Sequence, residues 1–102
     1  MKDKRPPTLT RQTMSVLSTL IERGEPLAGS IIASATSLAS GSLYPILIRL
    51  EDAKWIQSEW EEKQDGSTES ATRRRLYSMT SLGSRRVREE AKAWKRLVES
   101  IV

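Results

Sequence analysis

The sequence predicts an α+β domain in which three short helices precede a two-stranded hairpin and one long helix ends the chain. Three observations carry this. Apolar residues recur at helical spacing up to Ala53, then alternate with polar ones in "WIQSEWEE". A polar stretch, "KQDGSTESAT", holds the turn-forming pair Asp65-Gly66 and leads into a second alternating segment, "RRRLYSM". Beyond Thr80 a single apolar seam runs at three- and four-residue spacing. Spacing of three and four marks a helix, and a period of two marks a half-buried strand.

Residues 1–7, "MKDKRPP", read as a flexible basic arm. Residues 8–23 form the first predicted helix, capped by Thr8 or Thr10, with Met14, Leu17, Leu20 and Ile21 as its apolar face. Gly24 stops it, since glycine accepts the left-handed conformation common at helix ends. A short second helix is expected over residues 28–35, with Ile31, Ile32 and Ala35 as core candidates, followed by the small polar turn "TSLAS".

The third helix is expected over residues 41–53. Leu43, Leu47 and Leu50 share its core face, and Tyr44, Ile48 and Arg49 fall off it. Pro45 is tolerable in a first turn, where backbone N–H groups have no intrahelical partner. That reading starts the regular helix as late as Leu43 or Tyr44 and leaves N–H groups near Ser40–Tyr44 open to a phosphate. In the hairpin, Ile56, Ser58 and Trp60 lie on one face and Gln57, Glu59 and Glu61 on the other, with Trp55 and Trp60 expected in core or hairpin packing. Thr80 reads as the N-cap of a last helix over residues 81–102.

Helix, helix, helix, strand, strand, helix is the order of a winged helix-turn-helix, whose third helix enters the DNA major groove. The division expected is an arm (1–7), a winged-helix DNA-binding unit (8–80) and a dimerisation helix (81–102). At 102 residues the chain fits one domain. It has no cysteine and no histidine, which rules out thiolate and imidazole metal sites, disulfides, and cysteine- or histidine-based catalysis. No cofactor or metal is implied. A net charge of +4 favours a polyanionic partner. No apolar run reaches membrane-spanning length and no signal-peptide core follows the basic start, so a cytoplasmic location is expected.

At the third helix and hairpin the chain resembles the PadR-like family of winged-helix transcriptional regulators. "GSLYPILIRLEDAKWIQSEWEE" is similar to that family's recognition helix and first wing strand, with Ser42 where threonine is usual. "RRRLYSMTSLG" is similar to its second wing strand and the start of its last helix, with Tyr77, Thr80 and Gly83 matching a Tyr-x-x-Thr-x-x-Gly pattern. Gly29 is followed by Ser30 and Ile31 where the family often has Gly-Tyr-Glu. The resemblance implies the short subgroup with a single C-terminal helix. It also implies regulation of transcription on double-stranded DNA, and a response to phenolic or drug-like compounds.

The candidate DNA-contacting residues are Thr36, Ser37, Ser40, Gly41, Ser42, Tyr44, Arg49, Arg73, Arg74 and Arg75. The three wing arginines either reach phosphates or a minor-groove edge, or pair with Glu59, Glu61 or Glu62 on the partner strand. Arg49 either contacts DNA or pairs with Glu51 or Asp52. The last helix presents Val87, Ala91, Trp94, Val98 and Ile101 as an a/d seam, widened by Leu97. This seam packs on a second copy, on the chain's own first helix, or on both. Trp94 either anchors a dimer core or, with its symmetry copy, sandwiches a small planar aromatic effector.

The leading expectation is therefore a homodimeric repressor on a pseudo-palindromic operator. The alternative is a winged-helix module for protein contact, favoured by the acidic "EWEEK" strand and a third helix with one arginine. An enzyme is not expected, because no phosphate loop, metal cluster or nucleophile motif is present.

Overall fold

In the computed structural model, residues 6–62 and 73–101 are described. Most of the predicted arm, the polar loop with Asp65-Gly66, and Val102 lie outside the described residues. Thr10 opens the first helix, α1 (Arg11–Arg23): its hydroxyl oxygen accepts from the Thr13 backbone N–H at 3.1 Å. Gly24 closes it at φ 65°, in the left-handed region. The buried stripe is Thr13, Val16, Leu17 and Leu20. Met14 and Ile21, expected inside, are 41% and 44% exposed. The stripe takes in a polar residue because the Thr13 hydroxyl oxygen accepts from the Thr10 hydroxyl at 3.1 Å, so burying Thr13 leaves no unpaired group.

A two-residue strand, β1 (Leu27–Ala28), follows; sequence pattern placed Ala28 in the second helix. Two residues are too few to show a period. The helix α2 (Gly29–Thr36) comes next. It buries Gly29 and Ile32, whereas Ile31 and Ala35 are exposed. Eight residues turned over α1 present only one narrow edge inward, so the broader face expected from sequence does not form.

Helix α3 (Ser40–Asp52) begins at Ser40, earlier than expected, so Pro45 sits in its second turn and not its first. A proline there cannot donate to the Gly41 carbonyl. Gly41 is exposed, so water can take that acceptor, and the helix tolerates the loss. Leu43, Ile46, Leu47 and Leu50 are buried. The end of α3 is locked by two bonds, Lys54 N–H to Glu51 and Trp55 N–H to Leu50, both 3.0 Å, with Lys54 left-handed at φ 67°. This is a Schellman closure with lysine in the position glycine usually fills.

Strands β2 (Ile56–Trp60) and β3 (Arg75–Met79) pair antiparallel, with Ile56 opposite Met79, Ser58 opposite Tyr77 and Trp60 opposite Arg75. β1 pairs with the other edge of β3, giving the order β1-β3-β2. The predicted alternation in β2 holds, but burial fades outward: Ile56 is buried, Ser58 half-buried and Trp60 exposed. The hairpin runs off the body of the domain. The last helix, α4 (Ser81–Ile101), is capped by Thr80, whose hydroxyl oxygen accepts from Gly83 N–H at 2.9 Å. Val87 packs against the core cluster, which centres on Val16, Ile32, Leu43, Leu47, Leu50 and Ile56. From Arg88 to Ile101 every residue of α4 is exposed.

Candidate nucleic-acid interface

The axes of α2 and α3 bend by 117° across a turn of Ser37, Leu38 and Ala39. That is the angle range of a helix-turn-helix. Ser37 closes α2 in the left-handed region at φ 60°. Thr36 is half-buried, and its hydroxyl donates back to the Ile32 carbonyl of its own helix at 2.7 Å. Ser40, Gly41 and Ser42 are exposed at the start of α3, and no side chain caps that helix. Ser42 and Leu43 N–H both donate to the Ala39 carbonyl, at 3.0 and 2.9 Å. The N–H groups of Ser40 and Gly41 precede these bonds and form the positive end of the helix dipole.

Tyr44 leans back over the start of α2. A Cβ on Gly29 would stand 2.5 Å from its hydroxyl oxygen, so glycine is what lets the ring lie there. Pro45, Ile48 and Arg49 continue the exposed side of α3. Arg49 makes no ion pair among the described residues. The pairing weighed for it from sequence goes elsewhere: Glu51 meets the Arg75 guanidinium at 3.8 Å and accepts a hydrogen bond from the Ser58 hydroxyl.

All three wing arginines are engaged by their own chain. Arg73 Nε donates to the Glu61 carbonyl at 2.8 Å. Arg74 grips the Glu61 carboxylate, with Nη2 to Oε2 at 2.6 Å. This charge-assisted bond holds the Glu61 carboxyl below its usual value and raises the Arg74 guanidinium above its own. Arg74 is exposed and Glu61 partly so, so the pair contributes little to stability and solvent reaches the guanidinium. Arg75 Nε donates to Ser58 at 2.8 Å and its guanidinium lies 5.1 Å from the centre of the Trp60 ring. Arg75 thus joins the wing to the last turn of α3 through Glu51. Sequence reasoning missed this bridge. The only signal for it was a carboxylate in the last turn of α3 and an arginine on the inward face of β3.

Tyr77, buried behind this cluster, has its hydroxyl pushed up by burial first and then by the charges of Glu51 and Tyr44, against a smaller opposing effect of Arg75. Among the described residues no group of carboxylates could hold a metal ion, and no single helix is long and apolar enough to cross a membrane. The expected seam residues Ala91, Trp94, Leu97, Val98 and Ile101 are exposed on α4, and Val87, also expected there, packs on its own domain. Trp94 is 54% exposed and Ile101 74%.

The family model for the transcriptional regulator PadR-like family matches residues 20–89. Among solved structures, a PadR-like transcription factor from Bacteroides fragilis is 28% identical, with 89% of each chain covered and a TM-score of 0.69. A PadR family transcriptional regulator from Eggerthella lenta is 26% identical, covers 89% of this chain and 80% of that one, and has a TM-score of 0.69. A PadR family transcription regulator from Clostridium difficile has the same fold at 21% identity, with 87% and 92% covered and a TM-score of 0.66. No curated protein matches the sequence.

Proposed function

Because the chain belongs to the PadR-like family of transcriptional regulators, we propose that it is a sequence-specific repressor that binds a pseudo-palindromic operator as a homodimer. The observation that carries this reading is the exposed, side-chain-uncapped start of α3, set at 117° to α2, with a wing carrying three arginines joined to the last turn of the same helix through Arg75 and Glu51. Residues 8–80 act as the DNA-binding unit and residues 81–102 as the dimerisation helix. Ser37, Ser40, Gly41 and Ser42 supply hydroxyls and N–H groups to the backbone of one groove. Arg73, Arg74 and Arg75 exchange their intramolecular partners for phosphates beside it. Arg49 approaches the bases, and Tyr44, lying over Gly29, meets the DNA backbone. Thr36 acts indirectly, by finishing α2.

The exposed seam of α4 supports the dimer. Trp94, Leu97, Val98 and Ile101 are each about half exposed or more in one chain. Covering such side chains gains about 1.5–3 kcal/mol each when complete. Two-fold pairing along the seam matches the two-fold symmetry of an operator. Trp94 acts first as an anchor of that seam. Its half-exposed ring also favours a second role, stacking of a planar aromatic effector between paired rings.

The test is an anisotropy titration of the purified chain with random duplex over a range of salt. Binding that weakens steeply with salt, with a slope made shallower by Arg74→Ala/Arg75→Ala, is expected. An absence of binding at low salt refutes the repressor reading and favours the protein-contact module. An unchanged slope in the double variant removes the wing from the interface.

A further inference from the structure

We propose that α3 reads thymine methyl groups in the major groove through Pro45 and Ile48. The proposal rests on the DNA-binding reading above and deepens it. Helix α3 is poor in groups that read bases by hydrogen bonds. Its outward side has no asparagine, glutamine or lysine, and one arginine, Arg49. Tyr44 is drawn back over Gly29. What remains facing outward in the middle of the helix is apolar: Pro45 and, one turn on, Ile48, which is 58% exposed. Residues three apart lie side by side on a helix, so the two form one continuous patch.

The major-groove edge of a base pair offers hydrogen-bonding groups and one apolar group, the thymine 5-methyl. An apolar patch on a groove-reading helix therefore discriminates by covering that methyl. The charges around the patch fit a polyanion. Arg49 adjoins Ile48 and has no ion pair among the described residues. The carboxylate of Glu51 is turned to Arg75 and Ser58, and that of Glu61 to Arg74. Asp52, one turn beyond Ile48, is the remaining exposed carboxylate of the helix and marks the patch's far end.

The experiment uses the full chain and a duplex selected by it from a random pool. Thymines are replaced one at a time by deoxyuridine, which removes the methyl group and leaves the hydrogen-bonding edge intact. At one or more positions per half-site the wild type is expected to lose roughly four-fold in affinity, the worth of one buried methyl. Ile48→Ala is expected to bind thymine and uracil duplexes alike at such a position, and Ile48→Val to keep part of the difference. Ile48 is exposed, so its truncation leaves the fold intact. Tight binding with no thymine–uracil difference at any position overturns the proposal and leaves the DNA-binding reading standing. A difference that persists undiminished in Ile48→Ala also overturns it. Failure to bind any duplex overturns both.

Discussion

The first turn of α4 rests on the peptide of Trp55: a Cβ added at Gly83 would stand 2.7 Å from the Trp55 carbonyl carbon. Thr80 fastens the same joint, its N–H donating to the Trp55 carbonyl at 3.0 Å and its hydroxyl to the Lys54 carbonyl at 2.6 Å. The end of α3 and the start of α4 are therefore one packed unit. Gly83→Ala forces backbone against side chain and is expected to cost about 2–3 kcal/mol. Thermal unfolding should show a fall in Tm on the order of 10 °C.

Lys54 holds a left-handed conformation that a side chain disfavours. Lys54→Gly relieves it while keeping the two closing bonds of α3. Stability is expected to rise by about 0.5–1 kcal/mol in urea unfolding, with the slope against denaturant unchanged.

In the proposed complex, Glu61 competes with DNA for Arg74. Glu61→Gln removes the charge that holds the guanidinium. Affinity for duplex at low salt is expected to rise roughly two- to five-fold, and the salt dependence to steepen by up to about one ion. Titration of the wild type and variant side by side checks both.

The hydroxyl of Tyr77 titrates above its usual value in the folded chain, mainly because it is buried. In the unfolded chain it ionises near about pH 10. The folded state therefore holds its proton longer. The corresponding stability is intact below about pH 10 and is lost as pH climbs from there through the folded value. Tyr77→Phe should lose less stability than the wild type over that window. Chemical denaturation at intervals from neutral to strongly alkaline pH measures the difference.

Trp94→Ala combined with Leu97→Ala strips the middle of the exposed seam without touching the domain core. Sedimentation is expected to shift from dimer toward monomer at micromolar concentration. Far-UV circular dichroism should lose only α4 signal.

Much of the architecture was legible because long periodic segments announce themselves. The order of the three main helices, the alternation in β2 and the Thr80 cap all follow from local pattern. What escaped depended on contacts between distant residues. Pro45 pointed to a later start of α3, yet an exposed Gly41 carbonyl lets the helix run a turn further back. Thr13 joins the buried stripe of α1 because Thr10 satisfies its hydroxyl. β1 exists because β3 offers it an edge, not because Leu27 and Ala28 carry a pattern. At the candidate interface the residue types were readable, and so was a cross-strand pair such as Arg74 with Glu61, but not the contacts between separate elements. That Glu51 reaches across to Arg75, and that Tyr44 folds over Gly29, are consequences of the hairpin and the inter-helix turn being in place.

The joint at Thr80 and Gly83 also acts as the fulcrum of a lever. Helix α4 has 21 residues, about 31 Å of rod, and in the proposed dimer its outer part is where two copies are clasped. A tilt of about 5° at the fulcrum swings the far end by roughly 3 Å, close to one base-pair step of about 3.4 Å. Small changes at a glycine far from any base would then reset the gap between half-sites that two copies can span. In the proposed complex, spacing preference on DNA becomes a quantity written at the base of α4, not on the helix proposed to enter the groove.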